Sequence, residues 1–552
     1  MDDAYYDLGT HSFTVTTDAP EAQVWFDRGL AWCYGFNHEE AIVCFERALA
    51  ADPACAMAHW GIALAVGPNY NKPWSEFDPV DLEASLERAR RESATAASFA
   101  SGASAVEQAL CQALLKRYPA EDGERDYMGW HDAYADAMRG VHADHGEHLD
   151  VCALFAEAMM NRTPWALWDL DTGAIAEGAD TDEIIRVIEG AFRDLPGGDR
   201  HAGLLHMHVH VMEMSPFPER ALKSGDALYD AMPDSGHLRH MPTHIDVLCG
   251  NYQAVVARNH AAVVADRKFV ERSGVFNFYT GYRAHDFHFK AYGAMFLGQY
   301  KPAIEAAEEL IATTPTALLE MGSPPMADWL EGYISIKQHV LIRFGKWQDI
   351  LDQPLPDNPE LYCVTTAMIR YTRTVAYAAT GRVPEAEAEK ALFYEALARV
   401  PESRKLFNNT CRDILAVAEQ MLLGELEYRK GNFDAAFAHL RRSVEMDDHL
   451  PYDEPWGWMQ PTRHALGALL LEQGRLEEAE AVYRADLGLD GTLRRPCQHP
   501  DNVWSLHGLH ECLKRRGETV EIVWVKQRLD MAAARADVPI RASCYCRMQH
   551  AA

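Results

Sequence analysis

Three histidine pairs carry the chemistry legible in this sequence: His206 and His210, His240 and His244, His285 and His288. Within each pair the spacing is four or three, which puts both imidazoles on one face of a helix. Between the first two pairs the offset is 34 residues at both positions (240 − 206 and 244 − 210). That is the length of a tetratricopeptide repeat, about 34 residues, so the two pairs occupy equivalent places in consecutive repeats. Neutral imidazole suits zinc, copper, iron and nickel, each bound at roughly 2 Å. Six histidines exceed what one zinc ion takes, which points to two ions, or to one ion whose ligands have histidine partners. Met207, Met212, Met214 and Met241 lie beside them, and thioethers favour copper, the metal expected here. Glu213 and Asp246 are the nearby carboxylates with catalytic potential. The competing expectation is a core in which these histidines bond one another and Glu213 or Asp246.

The elements that position them read as helical hairpins. From residue 22 to 53, Trp25, Gly29, Leu30 and Tyr34 lie on a first helix and Ala41, Phe45 and Ala48 on a second. Gly35-Phe36-Asn37 turns between them. Small residues let the helices approach and aromatics fill the gap, as in a tetratricopeptide repeat. Three regions follow from this pattern: 1–200, with that repeat; 201–345, with the histidine-bearing repeats; and 346–552, with further repeats and a Cys544-x-Cys546 tail. Pro242 is tolerated only in a first helical turn, which places His240 at a helix cap. Gly67–Trp74 and Asn161–Asp169 break the period with proline and glycine. Their Tyr70, Trp165 and Trp168, with Tyr292 one turn beyond His288, are expected to wall a substrate pocket. No β pattern is present, so the expected fold is an all-α, tetratricopeptide-repeat-like solenoid of stacked hairpins.

The balance of 52 basic and 82 acidic residues, a net charge of −30, opposes any sequence-independent grip on nucleic acid or anionic lipid. No apolar run is long enough to span a bilayer, and the first residues lack the pattern of a signal peptide. A cytoplasmic protein is expected, its 12 cysteines mainly free thiols. Cys544 and Cys546 have the spacing of soft-metal ligands or a redox pair. Phosphate-loop, nucleophile-elbow and zincin motifs are missing, which disfavours nucleotide and serine-hydrolase chemistry and leaves metal chemistry open.

The run His206-x-x-x-His210-x-x-Glu213, then Gly236-His-Leu-x-His240-Met-Pro-Thr-His244, then His285-x-x-His288-Phe, resembles a bacterial tetratricopeptide family related to tetratricopeptide repeat protein 38. Cys55-Ala-Met-Ala-His-Trp-Gly61, the Gly67-Pro-Asn-Tyr-Asn loop, Pro164-Trp165 with Trp168, and Ser543-Cys-Tyr-Cys are similar as well. Leu205 and Asp246 depart from the family, which has an asparagine and an aromatic there. The resemblance implies the fold and no settled activity. From the residues, the expected function is a metal-dependent oxidoreductase, with one or two copper ions in an all-histidine site, using O₂ on a small organic molecule or modified amino acid. The alternatives are a scaffold for a peptide or partner protein, and metal storage or delivery.

Overall fold

In the computed structural model, which describes residues 5–119 and 125–550, nearly all regular structure is α-helix. Among the described residues the one sheet is a pair of two-residue strands, Lys405–Leu406 against Asn409–Thr410. The chain is all-α and tetratricopeptide-repeat-like. It divides into two compact units: Met1–Ile245 with Ala261–Arg283, and Asp246–His260 with Ala284–Ala552. None of the described helices is long and apolar enough to cross a membrane.

The first unit opens with the expected hairpin: α1 (Pro20–Tyr34), α2 (His38–Ala51) and then α3 (Ala56–Val66). Its packing depends on two missing side chains. A Cβ on Gly29 of α1 would lie 2.5 Å from the Phe45 ring, and one on Gly61 of α3 would lie 2.6 Å from it. The ring of α2 is thus clasped between two bare backbones. The second unit repeats the device: Tyr483, on the helix Leu476–Asp486, sits 2.5 Å from a Cβ on Gly467 and 2.2 Å from one on Gly508. The polar arm before α1 is anchored, with Leu8, Phe13 and Val15 buried and the Thr16 hydroxyl donating to Glu107 at 2.6 Å.

The hairpin turns share one geometry. In the second unit Cys363–Ala379, Cys411–Arg429 and Arg463–Glu472 each end two residues before a left-handed glycine: Gly381, Gly431 and Gly474, at φ +77°, +84° and +72°. The N–H after each glycine returns to a carbonyl in the last helical turn, as Arg382 does to Tyr377. The turn after α1 makes the same bonds, Phe36 N–H to Cys33 and Asn37 N–H to Trp32, but its left-handed residue is Phe36, at φ +53°.

The cap expected at His240 is corrected. A short helix, Gly236–His240, ends there, and Met241 keeps a helical backbone before Pro242–Leu248. Pro242 starts this second helix, where its missing N–H costs nothing, while the histidine face continues from the first. Residues that precede His285 are also helical, since Thr280–Leu297 begins five residues earlier than the histidine period indicates.

Buried histidines make the fold acid-sensitive. Burial holds His131 in the first unit and His339 in the second neutral, pushing each down to about 3 from the ordinary 6.5. Below pH 6.5 the unfolded chain takes up protons that the folded chain refuses. Their contribution is therefore complete above about pH 6.5 and is lost toward pH 3, by at most about 1.4 kcal/mol per pH unit for each group. Melting temperature should fall across that window, and His131→Phe or His339→Phe should flatten the fall. An unchanged slope in both variants contradicts this account.

Candidate metal centre

Every residue of the helix Ala202–Glu213 is buried, including His206, His208, His210 and Glu213. A polar side chain in such a place needs a partner. His208 bonds the Ser224 hydroxyl through Nδ1 at 2.7 Å, while its Nε2, 3.6 Å from Glu189, has no hydrogen-bond partner among the described residues. His206 and His210 are satisfied on one nitrogen only. The Nδ1–H of His206 donates to the Tyr34 carbonyl at 2.7 Å, and that of His210 to Glu213 Oε1 at 2.9 Å. These bonds set the tautomer, leaving each Nε2 a bare lone pair, and neither Nε2 has a hydrogen-bond partner among the described residues. Neither nitrogen of His237 has a hydrogen-bond partner among the described residues.

Those three histidines each offer one nitrogen, and the three atoms lie within 4.8 Å of one another. An ion roughly 2 Å from each holds its nitrogens no more than about 4 Å apart, so less than about 1 Å of ring movement closes the set. A carbonyl behind one ligand and a carboxylate behind another is the arrangement that fixes imidazoles on metals. Burial drives all three imidazoles far below their ordinary pKa, with the neighbouring rings adding to it. They are neutral, the state a metal binds.

His240 and His244 complete a closed ring of five imidazoles in this unit. Successive centroids, from His206 through His210, His244, His240 and His237 back to His206, are 4.7, 6.2, 4.8, 6.0 and 5.0 Å apart. Glu213 bridges it, accepting also from His244 Nδ1–H at 2.8 Å, and the two Nε2 atoms of His240 and His244 are 2.9 Å apart. Burial raises the Glu213 carboxyl, and the His244 charge opposes this.

Of the residues expected at the site, the first unit brings together His206, His210, His240, His244 and Glu213. His237 was not anticipated. The signal was present, since His237, His240 and His244 have the i, i+3, i+7 spacing of one helical face. The irregular loops reach this ring at two points: the rings of Tyr70 and Trp165 lie 4.9 and 5.9 Å from His210, and 5.0 Å from each other. Trp168 instead braces the helix, its indole N–H donating to the Val211 carbonyl at 2.6 Å. Phe36 is the aromatic that sequence could not place there. Its ring stacks on His210 and His237, at 5.8 and 5.6 Å, and lies 4.5 Å from His206. Phe36 and Trp165, at φ +53° and +58°, are two of the four described non-glycine residues with left-handed backbone. Left-handed bulky residues persist only where surroundings over-determine them.

The second unit holds the rest. Burial, with His339 adding to it, pushes His288 down to about 3, and its ring meets Tyr333 edge-on at 5.2 Å. His285 packs its ring against Phe407 at 4.6 Å. Asp246 is ion-paired with Arg258 at 2.9 Å. Tyr292 lines a small cavity with Asp453, Glu454 and His499, its hydroxyl 3.4 Å from His499 Nε2. Cys544 and Cys546 are joined as a disulfide, and the other ten cysteines are not disulfide-bonded.

No protein-family model matches the chain. A comparison with curated proteins gives no match. Similar solved structures include Naa15/Naa10 bound to HypK-THB, 12% identical with a TM-score of 0.21 over 93% of this chain and 70% of that one. Yeast Tom70 is 10% identical with a TM-score of 0.26 over 92% and 98% of the two chains. The APC/C hetero-tetramer Cut9–Hcn1 gives 11% identity and a TM-score of 0.23 over 96% and 95%. Likenesses this slight carry no argument. The chain's own hairpins and its ring of imidazoles define the class: an all-α, tetratricopeptide-repeat-like protein with a buried histidine centre.

Phe36 occupies the position where the sister turns have glycine, so its two small replacements should separate. Phe36→Gly and Phe36→Ala both lose the ring, but only glycine relieves the backbone. Phe36→Gly should be the more stable of the two by roughly 1 kcal/mol. Equal unfolding free energies in urea would show that the left-handed backbone carries no strain.

Proposed function

We propose that this protein holds a transition-metal ion on His206, His210 and His237, with Glu213 and the Tyr34 carbonyl orienting two of the ligands and His240 and His244 standing beside them. The observation that carries the reading is the set of bare, buried nitrogens. On the same helix the unbonded nitrogen of His208 lies by the Glu189 carboxylate, whereas His206, His210 and His237 each offer a nitrogen within 4.8 Å of the other two. Three imidazoles leave an ion one position for water or a ligand. Such a donor set suits zinc, copper, iron and nickel alike, so the copper and O₂ chemistry expected from the methionines are not part of the proposal. The motifs also support placing the chain with the bacterial tetratricopeptide family they resemble.

The test is metal content after loading and desalting. Wild type should retain one equivalent of Zn²⁺ or Co²⁺, and the Co²⁺ form should show the strong visible absorption of a tetrahedral site. His206→Ala, His210→Ala and His237→Ala should each lose it, while His208→Ala should keep it. Glu213→Gln should weaken affinity by about 10–100-fold. Wild type without stoichiometric metal, or equal loss in His208→Ala, sinks the reading.

A second reading is a scaffold for a protein partner. It is favoured by the helix Glu521–Ala533, where Val523, Trp524 and Met531 are 62%, 68% and 59% exposed. Exposed apolar side chains gathered on one helix mark a protein-interaction surface. Under this reading Trp524→Glu abolishes association with the partner and leaves metal content unchanged.

A further inference from the structure

In the second unit, the segment that follows the helix Glu521–Ala533 lies across four others: Ile336–Arg343, Cys411–Arg429, Arg463–Glu472 and Val503–Arg516. Its anchors are spread along the chain. The Ser543 carbonyl accepts from Arg343 Nη2, and its hydroxyl donates to the His464 carbonyl at 3.2 Å and is bonded to the Tyr483 hydroxyl at 2.5 Å. The Tyr545 ring stands 5.9 Å from that of Trp504. The Cys546 carbonyl accepts from Arg429, and the Arg547 guanidinium forks onto Glu511 at 2.6 and 2.8 Å. These bonds seat the segment, and a sulfur takes part in none of them.

Between the anchors, Cys544 and Cys546 are joined as a disulfide. The stabilisation a disulfide gives grows with the loop it closes, and this loop holds the single residue Tyr545. The bond therefore ties no two elements together. The other ten cysteines are not disulfide-bonded, and burial pushes the thiols of Cys44, Cys111 and Cys512 up to about 12, where a thiolate is scarce. A single short-range disulfide among inert thiols is the pattern of a bond that is made and broken, in contrast to a disulfide framework.

The two sulfurs differ. Cys546 is 3% exposed, whereas Cys544 is half-buried. The Cys546 N–H donates to Cys544 Sγ at 3.3 Å. The Arg343 guanidinium, bonded to the carbonyl of the preceding residue, gives its other Nη to a second neutral acceptor, His464 Nδ1, at 2.9 Å. A donor on the sulfur and a cation one residue away both favour a thiolate at Cys544. We infer that Cys544 and Cys546 are a redox-active pair that exchanges with dithiols. A thiolate of the dithiol attacks Cys544 Sγ, the S–S bond breaks, and the Cys546 sulfur leaves with the electron pair and takes up a proton. The dithiol's second thiolate then attacks its own sulfur in the mixed disulfide and releases Cys544 as a thiolate. Two electrons pass to the pair, the donor becomes a disulfide, and its two protons end on Cys546 and in solvent.

The exchange needs no metal and is measured on the metal-free full chain. The protein is equilibrated without oxygen in mixtures of reduced and oxidised glutathione and of reduced and oxidised dithiothreitol. It is then quenched in acid, alkylated and digested, and the peptide carrying both cysteines is weighed. Disulfide and dithiol forms should interconvert reversibly, each dominating at one end of the series, with an unchanged helical spectrum. Cys546→Ser should take up an aryl disulfide at position 544 about tenfold faster, or more, than Cys544→Ser takes it up at position 546. If a serine variant fails to fold, the wild-type titration carries the test. A pair that stays dithiol in the most oxidising mixture, a pair that stays disulfide in the most reducing one, or equal rates at the two positions overturns the inference.

Discussion

Removing imidazoles from water is the constraint on which the centre of this molecule depends. A buried nitrogen without a partner costs about 1–3 kcal/mol, and a whole domain is stable by only about 5–15 kcal/mol. Three such nitrogens, on His206, His210 and His237, are thus a large burden on the first unit. A core built for stability would relieve it with hydroxyls or carboxylates on both nitrogens of each ring. Here the relief is applied to the far side of the rings, by the Tyr34 carbonyl and Glu213, which fixes their tautomers and leaves the near side bare. The bare side is what an ion would satisfy at once.

The same region carries the backbone irregularities of the unit. Phe36 and Trp165 adopt left-handed φ, and both rings approach His210. Other turns of the array meet the identical requirement with glycine, at no steric cost. Glycine at position 36 would serve the turn equally well and would leave the imidazoles without their aromatic lid. Backbone strain and buried lone pairs coincide because one residue serves both the hairpin and the centre.

Much of this was legible in the residues, wherever local periodicity decides the outcome. The first hairpin, the clasp of small residues about Phe45, and the facing of His206 with His210 follow from helical spacing alone. The register of 34 residues put His244 beside His210. His237 was hidden by Pro242, which draws the eye to a helix start near His240; the backbone instead runs helical on both sides of Met241. Nothing in the sequence distinguishes the left-handed Phe36 from an ordinary turn residue, because its conformation follows from bonds to Cys33 and Trp32 and from rings far along the chain. The roles of Tyr34 and Glu213 were likewise invisible or only half visible, since one acts through a backbone carbonyl and the other binds two histidines 34 residues apart.

Arrays of helical hairpins are usually modular, each unit touching only its neighbours, and consensus repeats can be exchanged within them. The hairpin of α1 and α2 has lost that freedom. Its last helical residue, Tyr34, orients His206 through its carbonyl and reaches Asp150 with its hydroxyl at 2.7 Å; the following turn lays Phe36 over three imidazoles. A consensus hairpin grafted here would satisfy every rule of the repeat, including glycine in the turn, and would erase the centre. This repeat is therefore not an interchangeable copy: its connector shapes the histidine cluster, and the helices around it are the support.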